Sequence, residues 1–133
     1  MQSKDNDLDD IIDSSKDVAL KARSYATNLA TQFKKGLLSY CVLLACEKAT
    51  YTSEIIKRLN LAELNVVEGT IYPLLARLQR DGLLEHTWCE NPQGPPRKYY
   101  SITDYGRHVR DALADTVEKF NTAITTLERS KNE

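Results

Sequence analysis

The sequence predicts a mainly α-helical protein with a small β-sheet, an α+β fold. Helical apolar spacings recur along most of the 133 residues. Two segments rich in β-forming residues stand late in the chain, on either side of a stretch rich in Pro and Gly. With 41% hydrophobic and 28% charged residues, the composition is that of an ordinary globular protein. A chain of this length can bury one core.

The N-terminal part predicts two helical stretches after a short tail. Residues 1–7 are polar and acidic and are predicted to be disordered. A stripe of near-helical spacing follows, formed by Val18, Ala22, Tyr25, Leu29 and Phe33. The run from Leu37 to Cys46 is apolar almost all round, so it predicts the buried first helix of the core. Its cysteines, Cys41 and Cys46, are interpreted as core packing, with redox sensing as the alternative.

A short amphipathic helix is predicted from Thr52 to Leu59, with Thr52 or Ser53 as the N-cap. Its core-facing residues are Ile55, Ile56 and Leu59. The segment Asn60–Leu64 is predicted to be the turn to the next helix.

The second helix of this pair is predicted from its own ends. Asn65 and Glu68 have the spacing of a capping box, which puts the helix start near Val66. Asp81-Gly82 is expected to end the helix, because Gly adopts the left-handed conformation that closes many helices. One stripe of the helix is apolar and predicted to be buried, and it consists of Ile71, Leu74, Leu75 and Leu78.

The opposite stripe carries the most informative pattern in the chain: Gly69, Pro73, Ala76, Arg77 and Arg80. Three positions with little or no side chain allow a ligand to approach closely, and two guanidinium groups then bind an anion. Nucleic acid is the leading candidate. The alternative is an ordinary amphipathic surface helix, which explains the apolar stripe but not the glycine and proline opposite it.

Two strands are predicted after this helix, at Leu83–Glu90 and Arg97–Thr103. The intervening residues 91–96 are predicted to be a loop that continues neither strand. Two helices followed by two strands around a turn-rich loop is the order of a winged helix-turn-helix domain. In that fold the second helix enters the major groove of DNA.

The chain resembles the PadR-like transcriptional regulators over about residues 33–110. The resemblance is carried by Lys35–Leu38, Glu54–Leu59, Glu68–Leu78, Asp81–Leu83, Arg97–Tyr100, and Ile102-Thr103 with Gly106. Within it, Gly-Thr-Ile-Tyr-Pro through Arg-Leu is specific to this family among winged helices. The chain departs from the family at Thr52-Ser53, where Gly-Tyr is usual.

The resemblance implies a bacterial homodimer that represses transcription. Some members of the family are released from DNA by phenolic acids or drugs. We therefore predict a cytoplasmic repressor that binds a double-stranded, palindromic DNA operator, with a small aromatic or phenolic effector as a candidate ligand. Trp88, Tyr99 and Tyr100 could line an effector site, or they could pack the wing onto the core. The residues predicted to contact DNA are Gly69, Thr70, Tyr72, Pro73, Arg77, Arg80, Arg97 and Lys98.

The formal net charge of −1 is unevenly distributed. The first twenty residues contain six Asp and two Lys, a net of −4, which leaves +3 for residues 21–133. This distribution predicts DNA binding of moderate affinity that weakens as salt rises.

The two ends of the chain are predicted to form the dimer. A long helix is expected from Asp104 with Thr103 as its N-cap. Its heptad seam would pack against a second chain together with Tyr25 and Leu29; the alternative is that both ends fold back on their own subunit. The predicted division is 1–32 for the acidic tail and additional helix, 33–103 for the DNA-binding domain, and 104–133 for the dimerisation helix. The seam consists of Leu113, Val117, Phe120, Ile124 and Leu127.

Other classes of function lack a pattern in the sequence. No catalytic arrangement, phosphate-binding loop or metal-ligand spacing is present, so an enzyme is not expected, nor is a cofactor or metal. The longest apolar run is too short to span a membrane, and the acidic start lacks the basic region of a signal peptide. The remaining alternative is a winged-helix module that binds proteins and no longer binds DNA.

Overall fold

Four helices and a three-stranded antiparallel sheet form the structure, a computed structural model that describes residues 2–131 and, for side chains, residues 7–131. The elements are α1 (Gln2–Ala45), β1 (Thr50–Tyr51), α2 (Thr52–Leu61), α3 (Glu68–Arg80), β2 (Leu84–Asn91), β3 (Gly94–Ile102) and α4 (Asp104–Ser130). The predicted α+β fold class is confirmed, with the β2–β3 hairpin as the wing.

The chain divides into two units, residues 1–37 and residues 38–133. The first unit is the N-terminal part of α1, which begins at Gln2. The predicted disorder of residues 1–7 is therefore wrong for residues 2–7, while Met1 lies outside the described residues. Adding residues to an existing helix requires no new nucleation, and aspartates near a helix N-terminus interact favourably with its dipole.

The core lies in the second unit, where the end of α1, α2, α3 and the base of the sheet meet. The predicted burial of the α3 stripe is confirmed. Cys46 is fully buried, and burial raises the pKa of its thiol to about 12, which disfavours the reactive thiolate. The buried residues of the hydrophobic core are Val42, Leu43, Cys46, Ile55, Leu59, Ile71, Leu74, Leu75, Leu78, Leu84, Tyr100 and Ile102.

The turn between α2 and α3 is stabilised differently from the prediction. The capping box is wrong: α3 begins at Glu68 with Val67 as its N-cap. Asn65 adopts a left-handed conformation (φ 52°). The N–H of Val66 donates to Asn60 Oδ1 at 2.7 Å, and Asn60 Nδ2 donates to the Val66 carbonyl at 3.2 Å. The amide of Asn60 therefore stabilises the turn before α3, while α3 itself has no side-chain cap.

The start of α2 also differs by one residue. Its N-cap is Tyr51, not Thr52 or Ser53, and Tyr51 forms no capping hydrogen bond through its side chain. The reason is β1, which pairs with β3 through Thr50 and Tyr51 and so holds the chain extended up to the first helical residue.

The sheet has the strand order β1–β3–β2. The predicted loop at residues 91–96 is wrong at both ends, because β2 continues to Asn91 and β3 begins at Gly94. Pro95 and Pro96 are tolerated in β3 because β1 pairs only with Tyr99 and Tyr100, which leaves β2 as the single neighbour beside the prolines. A shift in register between Cys89 and Asn91 accompanies this part of the wing.

A junction at the start of α4 joins three segments. The Ile102 N–H donates to the Cys46 carbonyl at 3.1 Å, and the Thr103 N–H donates to the Leu83 carbonyl at 3.1 Å. The Thr103 hydroxyl donates to the Gly82 carbonyl at 2.6 Å and accepts the Gly106 N–H at 2.9 Å. The predicted N-cap at Thr103 and the left-handed helix end at Gly82 (φ 83°) are confirmed.

Gly106 fits this junction only because it has no side chain. A Cβ there would overlap the Leu83 carbonyl oxygen and lie 2.8 Å from Ile102 Cγ1. We expect Gly106→Ala to lower the free energy of unfolding by about 1–3 kcal/mol, as overpacking does elsewhere, in urea denaturation followed by circular dichroism. Gly36→Ala is the matched control, since its Cβ would meet nothing within 4 Å and alanine favours a helix. Equal stability of the two variants would contradict the packing argument.

Candidate nucleic-acid interface

The face of α3 opposite the core is exposed and flat near its N-terminus. Gly69, Thr70, Tyr72 and Pro73 all lie on this side, and Tyr72 is 54% exposed. A Cβ on Gly69 would have no neighbour within 4 Å, so the absence of a side chain is not required by the fold. Pro73 lies inside the helix, as expected, four residues after this glycine. This half of α3 can therefore approach another surface closely.

Beside this face the structure forms a cleft of about 320 Å³. It brings together one residue of α3, the first residues of α2 and the base of the wing, which are far apart in the sequence. Of the residues predicted to contact DNA, the cleft unites Tyr72, Arg97 and Lys98. Its lining is Tyr51, Thr52, Ser53, Tyr72, Trp88, Arg97, Lys98 and Tyr100.

The two cations of the cleft rest on aromatic rings. Arg97 Cζ lies 4.3 Å from the centre of the Tyr51 ring, and Tyr51 packs edge-on against Tyr99 at 5.3 Å between ring centres. Lys98 Nζ lies 5.2 Å from the ring centre of the buried Tyr100. Neither cation forms an ion pair with a residue that the structure describes. Their charges remain available to an anion, and the rings restrict their positions.

The start of α2 adds a further positive element to the cleft. Its first residues, Thr52 and Ser53, line the cleft, and the N-cap Tyr51 leaves the first-turn N–H groups without a side-chain acceptor. Such free N–H groups and the helix dipole favour an anion at this end. The acidic residue of the first turn, Glu54, is paired with Arg58 at 3.6 Å.

Arg77 and Arg80 have different surroundings from the cleft cations. Arg77 Nη2 donates to the Ser39 hydroxyl at 3.3 Å, which directs the guanidinium towards α1. Arg80 lies 3.7 Å from the Asp81 carboxylate at the end of α3. Both side chains are exposed, but they belong to the C-terminal half of the helix and do not line the cleft.

Sequence reasoning missed the part of the cleft formed by Tyr51, Thr52 and Ser53. A two-residue strand gives no periodic signal, and the contact of Arg97 with Tyr51 depends on β1 pairing with β3. The one available signal was the departure from the family at Thr52-Ser53. The aromatic residues considered for an effector site differ in burial, since Tyr100 is buried whereas Trp88 is 65% exposed.

The seam residues of α4 change from half-buried to exposed along the helix. Leu113 packs against the core and Val117 is half-buried. Phe120, Ile124 and Leu127 are 63%, 47% and 69% exposed. In the first unit, Tyr25 and Leu29 are exposed as well.

Among the described residues, no group of three or more His, Cys, Asp or Glu side chains could hold a metal ion. None of the helices within residues 2–131 combines the length and apolar character needed to cross a lipid bilayer.

These features define a winged helix-turn-helix protein with a cleft that holds two cations between α2, α3 and the wing. The pattern of the "Transcriptional regulator PadR-like family" matches residues 42–112, more than half of the chain. The chain belongs to this family, whose members are DNA-binding transcriptional regulators and not enzymes. None of the curated proteins matches the chain.

Solved structures agree with this assignment. A PadR-like transcription factor from Bacteroides fragilis is 44% identical, with a TM-score of 0.64, over 75% of this chain and 98% of its own. A PadR-like regulator from Bacillus cereus is 36% identical, with a TM-score of 0.66, over 72% and 95%. A PadR family regulator from Eggerthella lenta is 25% identical, with a TM-score of 0.71, over 81% and 96%.

The flat face of α3 leads to a prediction about Gly69. We expect Gly69→Gln to abolish DNA binding, measured by fluorescence anisotropy, because the added side chain would hold the helix away from the duplex. The circular dichroism spectrum should not change, since the position is open and glutamine is a better helix former than glycine. Gly36→Gln, a glycine with equally open surroundings in α1, is the control. Wild-type affinity in Gly69→Gln would show that the close approach occurs elsewhere.

Proposed function

We propose that this protein is a bacterial, cytoplasmic repressor that binds a palindromic operator as a homodimer and is released by a small aromatic ligand. In each subunit α3 enters the major groove with Gly69, Thr70, Tyr72 and Pro73 towards the bases. The wing and the start of α2 bind the adjacent sugar-phosphate backbone.

The observation that carries this proposal is the cleft between α2, α3 and the wing. Arg97, Lys98 and the free N–H groups of α2 converge there with no acidic side chain in the lining. A phosphate is the anion that a winged-helix regulator meets next to its recognition helix, and Arg with Lys is the usual pair of phosphate ligands. The aromatic supports of both cations reduce the entropy lost when they bind.

The homodimer is supported by the exposed end of α4. Phe120, Ile124 and Leu127 continue the heptad spacing that begins at the core-packed Leu113. An exposed seam of this kind is stabilised by a second helix. A two-fold dimer would then present two copies of α3 about one helical turn of DNA apart, which is why the operator is proposed to be palindromic.

Release by an effector is supported by the chemistry of the same cleft. Its lining combines the exposed Trp88 and Tyr72 with two cations, which suits an aromatic carboxylate. A ligand bound there would occupy the position proposed for the phosphate, so binding of DNA and effector would be mutually exclusive.

The competing function is a winged-helix module that binds proteins and not DNA. The charge of the domain favours neither function, since residues 36–133 contain 12 Lys or Arg and 13 Asp or Glu, a net of −1. The local convergence of cations in the cleft favours DNA. A gel shift with random duplex at low and high salt separates the two functions, because only a DNA-binding protein gives a shift that salt abolishes.

The cleft cations lead to a prediction about how much each basic residue contributes to DNA binding. We expect Arg97→Ala and Lys98→Ala each to weaken binding to all duplexes and to reduce the slope of log K against log salt by about one. Arg77→Ala and Arg80→Ala should have smaller effects, because their guanidiniums are engaged by Ser39 and Asp81. Fluorescence anisotropy at several salt concentrations measures both quantities.

Lys119→Ala is the matched control, an exposed cation on α4 that is paired with Asp115 at 2.9 Å. Loss of thermal stability in the cleft variants would assign Arg97 and Lys98 a structural role. An unchanged slope of log K against log salt in both cleft variants would contradict the proposed phosphate site.

The α4 seam leads to a prediction about assembly. Replacing Phe120 and Ile124 with Asp should give monomers or unfolded chains at micromolar concentration, because truncation of a buried Phe alone costs about 3–5 kcal/mol and two-fold symmetry applies the loss twice. Sedimentation measures the mass, and operator binding should fall in parallel. Lys119→Ala and Asp115→Ala, on the same helix, should remain dimeric. A monomeric wild type at tens of micromolar would contradict the seam.

Trp88 allows a direct test of the effector site, because it is the only Trp in the chain. We expect 4-hydroxybenzoate, as a simple phenolic acid, to change the emission of Trp88 and to release operator DNA over the same concentration range. The change in emission should be lost in Lys98→Ala, since Lys98 lies opposite Trp88 in the register of β2 and β3. Release of DNA without a change in emission would move the effector site elsewhere in the protein.

A further inference from the structure

The first unit carries an apolar stripe that the winged domain does not explain. Residues 8–29 follow the 3,4 spacing of a heptad over three repeats, through Leu8, Ile11, Ser15, Val18, Ala22, Tyr25 and Leu29. A second row recurs every seventh residue, formed by Ile12, Ala19, Ala26 and Phe33. The large side chains of both rows, from Leu8 to Phe33, are 49–69% exposed. A single helix leaves these apolar side chains exposed to water, so a partner helix is needed to bury the stripe.

The stripe lies outside the part of the chain that relates it to its family. The family match begins at residue 42. The Bacteroides fragilis relative is covered over 98% of its length by only 75% of this chain. The segment up to Leu37 therefore lies outside the residues that the family pattern matches.

The charges along this helix identify the partner. Residues 1–20 contain six Asp and two Lys, a net of −4. Residues 21–35 contain Lys21, Arg23, Lys34 and Lys35 and no acidic residue, a net of +4. One pair, Lys21 with Asp17 at 3.2 Å, lies within the helix itself and both groups are well exposed. The helix is therefore acidic in its first half and basic in its second.

We propose that this helix pairs with the same helix of a second copy in antiparallel orientation, centred near residue 20. That orientation puts the −4 half of each helix against the +4 half of the other, whereas a parallel pair would put like charges together. It also aligns the apolar rows, because Ile11 then faces Leu29, Ser15 faces Tyr25 and Val18 faces Ala22. The small side chains Ala19, Ala22 and Ala26 allow close approach at the centre.

Cysteine cross-linking in the full-length protein tests the orientation. Ile11→Cys and Leu29→Cys are introduced separately into a Cys89→Ser background, which removes the exposed native thiol. In an antiparallel pair Ile11 of one copy meets Leu29 of the other, while identical positions lie 18 residues apart along the axis, about 27 Å. After mixing and mild oxidation, the dominant disulfide-linked product should join the two different variants, with little linkage in either variant alone.

Charge reversal is the second test of the antiparallel pairing. Asp7→Lys, Asp9→Lys, Asp10→Lys and Asp13→Lys together turn the first half from −4 to +4 and should abolish the mixed cross-link, because both halves are then positive. Adding Lys21→Glu, Arg23→Glu, Lys34→Glu and Lys35→Glu to the same chain makes the second half −4 and should restore it. Cross-linking of each variant with itself would overturn the antiparallel arrangement. Linkage no greater than in Cys89→Ser alone would overturn self-pairing of the helix.

The outcome is independent of the proposed function. DNA binding of the Cys89→Ser protein is measured in parallel by anisotropy. A protein that forms the mixed cross-link but does not bind DNA would contradict the repressor and not the helix pairing. A protein that binds operator without the cross-link would contradict only the pairing.

Discussion

The hydroxyl of Thr103 is the contact on which the geometry of the winged domain depends. It donates to the Gly82 carbonyl at 2.6 Å and accepts the Gly106 N–H at 2.9 Å, so it joins the end of α3 to the first turn of α4. One residue earlier, the Ile102 N–H reaches the Cys46 carbonyl at the end of α1. The end of β3, at the base of the wing, is thereby fixed to the ends of α1 and α3 and to the start of α4. The first turn of α4 can pack this closely against the Leu83 carbonyl only because Gly106 has no side chain.

The functional surface follows from this fixed base. Burial of Ile71, Leu75 and Leu78 turns the opposite face of α3 outward, and the register of β3 then sets where Arg97 and Lys98 lie relative to Tyr72. No single element forms the cleft, which requires the start of α2, one residue of α3 and the wing together. If the proposed interface is correct, a change at the junction would alter DNA binding without touching a residue proposed to contact DNA.

Sequence reasoning succeeded where structure depends on local spacing or on the chemistry of one residue. The buried stripe of α3, the helix end at Gly82 and the cap at Thr103 are of this kind. It failed where the local structure depends on a contact with a residue far away in the sequence. Pro95 and Pro96 enter a strand because β1 is too short to reach them. The predicted capping box does not form, and Asn60 instead stabilises the preceding turn by bonding Val66. The cleft was only half predicted for the same reason, since Tyr51 meets Arg97 across a sheet that two residues complete.

The charge of the chain also has to be read locally. The +3 that residues 21–133 carry resides in residues 21–35, which hold +4, so the winged domain itself is slightly acidic and cannot attract DNA through its net charge. In the proposed complex the attraction would come from the cleft, where cations without an ion-pair partner among the described residues act within a Debye length of about 8 Å at physiological salt. The −4 of the first twenty residues would oppose that attraction if it stood free. In the proposed antiparallel pair the +4 half of a second copy would lie against it and screen it, while the net charge of residues 1–35 would stay at zero.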